Sequence, residues 1–186
     1  AYDLHSIFGT QKSVDGSSIW CFSDLFEELH QFPEEFHGGF GLMTQSGIKK
    51  PAYYALKFLN EAGETVYDLP ENGKIDAAVF KNKDEIHIIL SNPSFENTGE
   101  TQEVTLRIET ERPKKAVLNR IDEENCNPLK AWKAEGSPQV PTSKQLEKIK
   151  KLSEPIDEEI AFEYSDGFVE IKTKLAENEI QRIVLG

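Results

Sequence analysis

The sequence has little that would point to a metal, a disulfide framework, nucleic acid or a membrane. Its two cysteines, Cys21 and Cys126, are too few for a disulfide framework and match no metal-ligand spacing. Basic residues are scarce, and the net charge of −12 argues against nucleic acid and against an anionic membrane surface as partners. No run approaches the roughly 18 apolar residues of a membrane-spanning helix. We therefore expect neither a metal nor another cofactor.

The composition is nonetheless that of a folded protein. Hydrophobic residues make up 38% of the 186 residues and include 11 Phe and 2 Trp, which argues against disorder. This length suits one domain, or one domain with a piece of another. The chain opens on Ala1 and not on Met, so we expect a mature form, an expressed portion or a fragment, and the lack of a signal-peptide pattern in residues 1–9 says little about where the parent protein is located. Two unpaired cysteines favour a cytoplasmic over a secreted protein.

Residues 1–63 predict a strand, a long loop and a helix. The apolar run 18–22 suits a short buried strand. The irregular stretch 23–50 follows, and stretches of this length in compact domains are often functional. A helix is predicted at Pro51–Ala62, because proline suits the first helical position and Gly63 suits the C-terminal cap. A strand, a site-forming loop and a helix in this order are typical of an α/β unit.

Residues 64–186 instead predict an antiparallel β-sandwich. Apolar and polar residues alternate in short runs, which indicates one buried face and one solvated face. The predicted strands lie at 74–80, Glu85–Ser91, 104–108, Ala116–Ile121, 169–171 and Ile180–Leu185. Two short helices interrupt them, at 128–135 and at Ser143–Leu152, and Thr142 with Gln145 predicts a capping box for the second.

Trp20 begins the densest group of polar and aromatic residues. An indole offers a flat apolar face on which a sugar ring can stack, and carboxylates accept hydrogen bonds from sugar hydroxyls. Trp20, followed within a few residues by Asp24, Glu27 and Glu28, therefore suits a carbohydrate subsite. Spacing alone leaves a core tryptophan with solvated acids as the alternative. A general acid/base pair at Glu27 and Glu28 is disfavoured, since adjacent residues rarely aim both carboxyls at one bond.

The rest of the loop offers weaker candidates. His30 and His37 flank Glu34 and Glu35, but their spacing fits no familiar metal site. The glycines within 38–41 lack the lysine and the strand–helix context of a phosphate loop, so we expect them to allow tight backbone turns.

Several blocks of the chain resemble glycoside hydrolase family 39, which contains β-xylosidases and α-L-iduronidases. They are SIWCFSDLFEE (18–28), FHGGFGLM (36–43), GIKKPA (47–52) and NRIDEENCNPLKAWKAEGSP (119–138). The chain departs from the family pattern at Cys21, where Thr is usual, and at Asn125 and Cys126, where His-Ala is common.

The resemblance implies a (β/α)8 catalytic barrel followed by a β-sandwich. Residues 1–63 would be the C-terminal remnant of the barrel, beginning in the helix before its last strand, and residues 64–186 the β-sandwich accessory domain. The expected fold class is therefore mainly β, an antiparallel β-sandwich preceded by the last strand–loop–helix piece of the barrel. Residues 1–62 alone should then expose apolar surface.

The resemblance also implies retaining hydrolysis by two glutamates. Neither has a matching motif here, so we expect no catalytic residue in this chain and no hydrolysis by the chain alone. The family pattern places Trp20 as a stacking wall, and Glu27 and Glu28 as hydroxyl acceptors, in the subsite of the reacting sugar. The expected function is that of a C-terminal fragment of a β-xylosidase that removes terminal xylose from xylo-oligosaccharides during xylan degradation. The missing barrel portion would act in cis or in trans.

Other interpretations stay open. An α-L-iduronide is the alternative substrate, but the loop 23–43 has no Lys or Arg to clamp a carboxylate. A carbohydrate-binding module would present a row of exposed aromatics, whereas the strand aromatics after residue 75 are few: Phe80, Phe162, Tyr164 and Phe168. A purely structural sandwich would brace the barrel or form a homo-oligomer interface.

Overall fold

The computed structural model describes residues 1–25, 34–67, 69, 74–96 and 98–186. Within these residues, two helices come first, and the strands that follow form two sheets, with two further helices inserted between strands. The helices are α1 (Tyr2–Thr10), α2 (Pro51–Ala62), α3 (Pro128–Ala134) and α4 (Ser143–Leu152). The strands are β1 (Thr65–Tyr67), β2 (Asp76–Asn82), β3 (Glu85–Ser91), β4 (Gln102–Glu109), β5 (Ala116–Ile121), β6 (Glu158–Ile160), β7 (Glu163–Ser165), β8 (Phe168–Leu175) and β9 (Ile180–Leu185).

Every strand pair within the two sheets is antiparallel. The large sheet has the order β1-β2-β3-β9-β5-β6, and the small sheet has the order β4-β8-β7. At the centre of the large sheet, β3 and β9 pair from Ile86 opposite Leu185 to Ser91 opposite Ile180. The mainly β fold class predicted from the sequence is confirmed.

The main core lies between the two sheets. Alternate residues of the central strands, such as Ile88 and Leu90 of β3 and Ile183 of β9, are fully buried there. Val169 and Ile171 of β8 face them from the small sheet. Buried residues recur at every second position in these strands because one strand face lies in the core between the two sheets. This agrees with the apolar–polar alternation in the sequence.

The opposite face of the large sheet is covered by α1 and α2. Phe58 of α2 and Leu4 of α1 are buried in one cluster with Phe80 and Ile89 of the sheet. The two helices therefore share a core with the large sheet.

An ion pair at the end of α2 reinforces this packing. Arg182 Nη1 lies 2.6 Å from Glu61 Oε2. Burial alone would raise the pKa of Glu61. Hydrogen bonds from Arg182 and Lys57 to its carboxylate outweigh that effect, so the pKa of Glu61 is lowered.

Local sequence signals place most helix ends where they were predicted. Helix α2 begins at Pro51 and is followed by Gly63, whose φ of 105° favours glycine. Helix α4 carries the predicted capping box, with Gln145 N–H donating to Thr142 Oγ1. Helix α3 ends at Ala134, one residue before its predicted end.

The sequence predictions fail mainly for short elements. β1, β6 and β7 have three residues each, which is too few to show a period of two. The buried strand predicted at 18–22 does not form, and its backbone is irregular with Phe22 exposed. The nearest regular pairing is an isolated parallel bridge between Ser23 and Met43, so this run lacks the neighbours of a buried strand. Within the described residues, no helix combines the length and apolar character needed to cross a membrane.

Replacing Ile183 by Ala should lower the free energy of unfolding by about 2–5 kcal/mol, because the change leaves a cavity in the sandwich core. The matched control is Ile156→Ala, since that side chain is 73% exposed. The control should change stability by less than about 0.5 kcal/mol. Urea unfolding of both variants tests this expectation, and equal effects would contradict the assigned core.

Cys126 should make stability depend on pH in the alkaline range. Burial, with a smaller contribution from the charge of Asp122, raises the pKa of this thiol from 9.0 to about 12. The unfolded chain therefore loses this proton at lower pH than the folded chain, and the stabilising contribution present below about pH 9 is lost as the pH rises towards about 12.

We therefore expect the stability difference between the wild type and Cys126→Ala to shift in favour of the variant between pH 8 and pH 11. Burial also raises the pKa of Tyr54, but this tyrosine is common to both proteins. Urea unfolding at several pH values measures the difference, and a difference independent of pH would refute the assignment.

Candidate functional site

The segment around Trp20 presents aromatic side chains at the surface. Trp20 is 71% exposed, Phe22 is 69% exposed and Phe40 is 63% exposed. The peptide bond between Trp20 and Cys21 is cis. Most of the Trp20 side chain is therefore at the surface of the described residues, which is the placement that a stacking wall for a flat ligand requires.

Backbone hydrogen bonds attach the Trp20 segment to the glycine-rich loop. Leu42 N–H donates to Cys21 O at 3.0 Å, and Asp24 N–H donates to Met43 O at 2.9 Å. Lys50 N–H in turn donates to Leu42 O at 2.9 Å. Residues 21–24, 41–43 and 49–50 are therefore joined side by side, and together with the side chains of Asp24 and Lys50 they form what we call the platform.

Asp24 anchors the platform. Its side chain is fully buried, and Lys50 Nζ lies 2.8 Å from Oδ1 and 2.7 Å from Oδ2. Gly41 N–H also donates to Oδ1 at 2.8 Å. The interpretation of Asp24 as a sugar ligand is therefore wrong, because the carboxylate is enclosed and neutralised by the lysine.

The neighbouring glycines permit this close approach. A Cβ at Gly39 would lie 2.6 Å from Asp24 Oδ1, and a Cβ at Gly41 would lie 2.3 Å from the Asp24 nitrogen. Lys50 Nζ also donates to Gly39 O at 2.9 Å. A tight turn with positive φ occurs only at Gly38 within 38–41, so the other two glycines serve close packing rather than backbone freedom.

The other acids and histidines of the loop have structural surroundings where they are described. Glu35 is buried and accepts hydrogen bonds from the hydroxyl and backbone N–H of Ser46, at 2.5 and 3.2 Å. His37 Nε2 lies 4.0 Å from Asp24 Oδ2. No group of three or more His, Cys, Asp or Glu in the described part of the chain could hold a metal ion.

The two acids predicted beside Trp20 lie outside the described residues. Glu27 and Glu28, and also His30, fall within 26–33. Their predicted roles therefore stay predictions. The described part of the site brings together an exposed indole and a platform that is held by backbone hydrogen bonds and by the Asp24–Lys50 ion pair. This arrangement suits ligand binding.

Lys50 is the residue that the sequence analysis missed. Its partner lies 26 positions away, and no local pattern links a lysine after a glycine-rich loop to an aspartate before it. The spacing of Gly39 and Gly41 was visible, but the backbone contact that requires these glycines depends on the folded loop.

Replacing Lys50 by Met should destabilise the platform, because it leaves the buried Asp24 carboxylate without a counter-charge. Breaking a buried pair in this way costs about 3–5 kcal/mol, whereas an exposed pair contributes about 0–1 kcal/mol. Lys57→Met is the matched control, since Lys57 pairs with Glu61 near the surface.

Urea unfolding and hydrogen exchange of the Gly41 amide should both distinguish the two variants. The double variant Asp24→Asn/Lys50→Met should recover part of the loss. Equal behaviour of Lys50→Met and Lys57→Met would show that the Asp24 pair does not support the platform.

Two curated relatives resemble most of this chain. A beta-xylosidase of Caldicellulosiruptor saccharolyticus is 33% identical over 150 residues, which cover 78% of this chain and 31% of the relative. A beta-xylosidase of Geobacillus stearothermophilus is 32% identical over 173 residues, which cover 91% of this chain and 33% of the relative. The chain thus spans about a third of the length of each.

Solved structures match the fold over nearly the whole chain. A GH39 enzyme from Xanthomonas axonopodis pv. citri superposes with a TM-score of 0.82 at 24% identity, over 99% of this chain and 39% of that one. A GH39 beta-xylosidase from Caulobacter crescentus superposes with a TM-score of 0.81 at 25% identity, over 99% and 38%. The first match shows the fold alone, because its identity is low.

The family model for glycosyl hydrolases family 39 matches residues 1–169, which include the Trp20 segment, the platform and most of the sandwich. The curated relatives and the shared fold agree with this match. The chain therefore belongs to glycosyl hydrolases family 39.

Proposed function

We propose that this chain is the C-terminal part of a glycoside hydrolase that cleaves terminal xylose from xylo-oligosaccharides. The observation that carries the proposal is the exposed Trp20 side chain, held on a platform fixed by hydrogen bonds and a buried ion pair. Two relatives named as beta-xylosidases support the substrate class.

In this proposal Trp20 is one wall of the subsite that holds the reacting sugar. A pyranose ring has an apolar face, and stacking that face on an indole removes both surfaces from water. Glu27 and Glu28 accept hydrogen bonds from the sugar hydroxyls. Charge-assisted hydrogen bonds of this kind fix the orientation of the ring.

A neutral pentose fits the charge of the described site better than a uronide. A carboxylated sugar needs a cation that is free to pair with it. The Lys50 ammonium is already engaged by Asp24 and by Gly39 O. The neighbouring Lys49 ammonium lies over the rings of Tyr53 and Tyr54. We therefore favour a β-xyloside over an α-L-iduronide.

The two catalytic glutamates would come from the rest of the enzyme. Residues 1–63 would complete a (β/α)8 barrel, and residues 64–186 would be its accessory β-sandwich. The exposed side chains of Trp20, Phe22 and Phe40 support this arrangement, because large aromatic residues at the surface of this segment could meet a ligand or the rest of the barrel. The two unpaired cysteines favour a cytoplasmic enzyme.

Trp20→Ala in the complete enzyme should raise KM for an aryl β-xyloside about tenfold, because losing about 1.4 kcal/mol of stacking corresponds to that factor. Phe95→Ala is the matched control, since Phe95 is also an exposed aromatic but lies between β3 and β4. The control should leave KM unchanged. Equal kinetics for Trp20→Ala and the wild type would refute the stacking role.

The same assay tests the division of labour between this chain and the rest of the enzyme. The purified 186-residue chain should show no turnover of the aryl β-xyloside, because it lacks both catalytic glutamates in this proposal. Turnover by the chain would overturn that part of the proposal if its specific activity stayed constant through successive purification steps, because a contaminating enzyme would be removed by them.

A further inference from the structure

The helix pair α3–α4 packs against the loop of the candidate site. Ile149 of α4 and Ala131 of α3 are buried together with Ile48, which lies two residues before Lys50. Trp132 of α3 packs against Phe36, with ring centroids 5.5 Å apart. The inserted helices therefore contact the loop on both sides of its glycine-rich part.

This cluster is separate from the two other clusters of the fold. The buried residues of the sandwich core and of the α1–α2 interface do not include Ile48, Ala131 or Ile149. The apolar side chains of the helix pair are thus buried against each other and against Phe36 and Ile48 of the loop. An insertion that served the sandwich alone would instead bury its apolar side chains against the sheets.

The helix pair is itself held in place at its ends. Cys126, just before α3, donates from Sγ to Ser153 O, just after α4, and Cys126 is buried in the α1–α2 cluster. Trp132 Nε1 donates to Pro138 O at 3.1 Å, which fixes the indole that meets Phe36. The helices therefore have a fixed attachment at one side and the loop at the other.

A short path of contacts leads from the helices to the platform. Ile48 O accepts from Thr44 N–H at 2.9 Å, and Ile48 N–H donates to Thr44 Oγ1 at 3.2 Å, so Ile48 closes the turn of the loop. Two residues later, Lys50 binds Asp24. A shift of Ile48 would therefore move Lys50 and weaken its hold on Asp24.

We propose that α3–α4 is a positioning element for the sugar subsite, with Ile149 and Trp132 as its positioning residues. These side chains act through Ile48 and Phe36 and fix the platform from which Trp20 projects. The consequence for sugar binding rests on the proposed function, whereas the mechanical coupling can be tested without any sugar.

Hydrogen exchange of the 186-residue chain tests the coupling. The reporters are the amides of Gly41, Leu42 and Lys50, because each donates a hydrogen bond within the platform. Ile149→Ala should accelerate their exchange about tenfold or more relative to Ile171→Ala, since local openings follow local packing. Ile171 is a matched control because it is almost fully buried in the sandwich core.

Ile149→Val and Ile171→Val provide the same comparison if either alanine variant fails to fold. The expected result is faster platform exchange in the Ile149 variant, with global stability matched by adding urea to the more stable protein. Equal platform exchange in the two variants would overturn the positioning role.

Kinetics of the complete enzyme then separate this inference from the proposed function. Ile149→Ala should raise KM several-fold and change kcat less. Ile171→Ala should leave kcat/KM unchanged. Faster platform exchange with an unchanged KM would refute the link to sugar binding. The response of Trp20→Ala tests the proposed function independently, because that variant leaves the helix pair intact.

Discussion

Burial of both faces of the large sheet is the constraint on which the rest of the structure depends. One face of β3 and β9 forms the sandwich core with the small sheet, and the other face receives α1 and α2. Strand β3 is therefore buried on both faces, as the three consecutive fully buried residues Ile88, Ile89 and Leu90 show. Because α2 follows the site loop directly, this packing also sets where that loop ends.

A buried ion pair organises the site on that support. Asp24 and Lys50 come from opposite ends of the loop, and their contact holds the glycine-rich turn between them. Such a pair contributes little net stability when it is complete, but removal of either partner is costly. The pair therefore specifies one loop conformation, in which Trp20 remains exposed.

The accessory helices give the sandwich a role beyond completing a core. Helices α3 and α4 are inserted between β5 and β6, and their buried side chains meet Phe36 and Ile48 of the loop. The helix pair inserted into the sandwich thus contacts the loop of the candidate site.

Much of the fold followed from the sequence alone, because helix caps and strand alternation are local signals. Pro51, Gly63 and the Thr142 capping box mark their helix ends, and β3, β5 and β9 lie where the apolar pattern predicts. The residue pattern also singled out Trp20. Only the tertiary structure decided that Asp24 is an internal anchor, that Lys50 is its partner and that α3–α4 support the loop. Those properties depend on contacts between residues that are distant in the sequence, and the identity of a residue does not specify which distant residue it contacts.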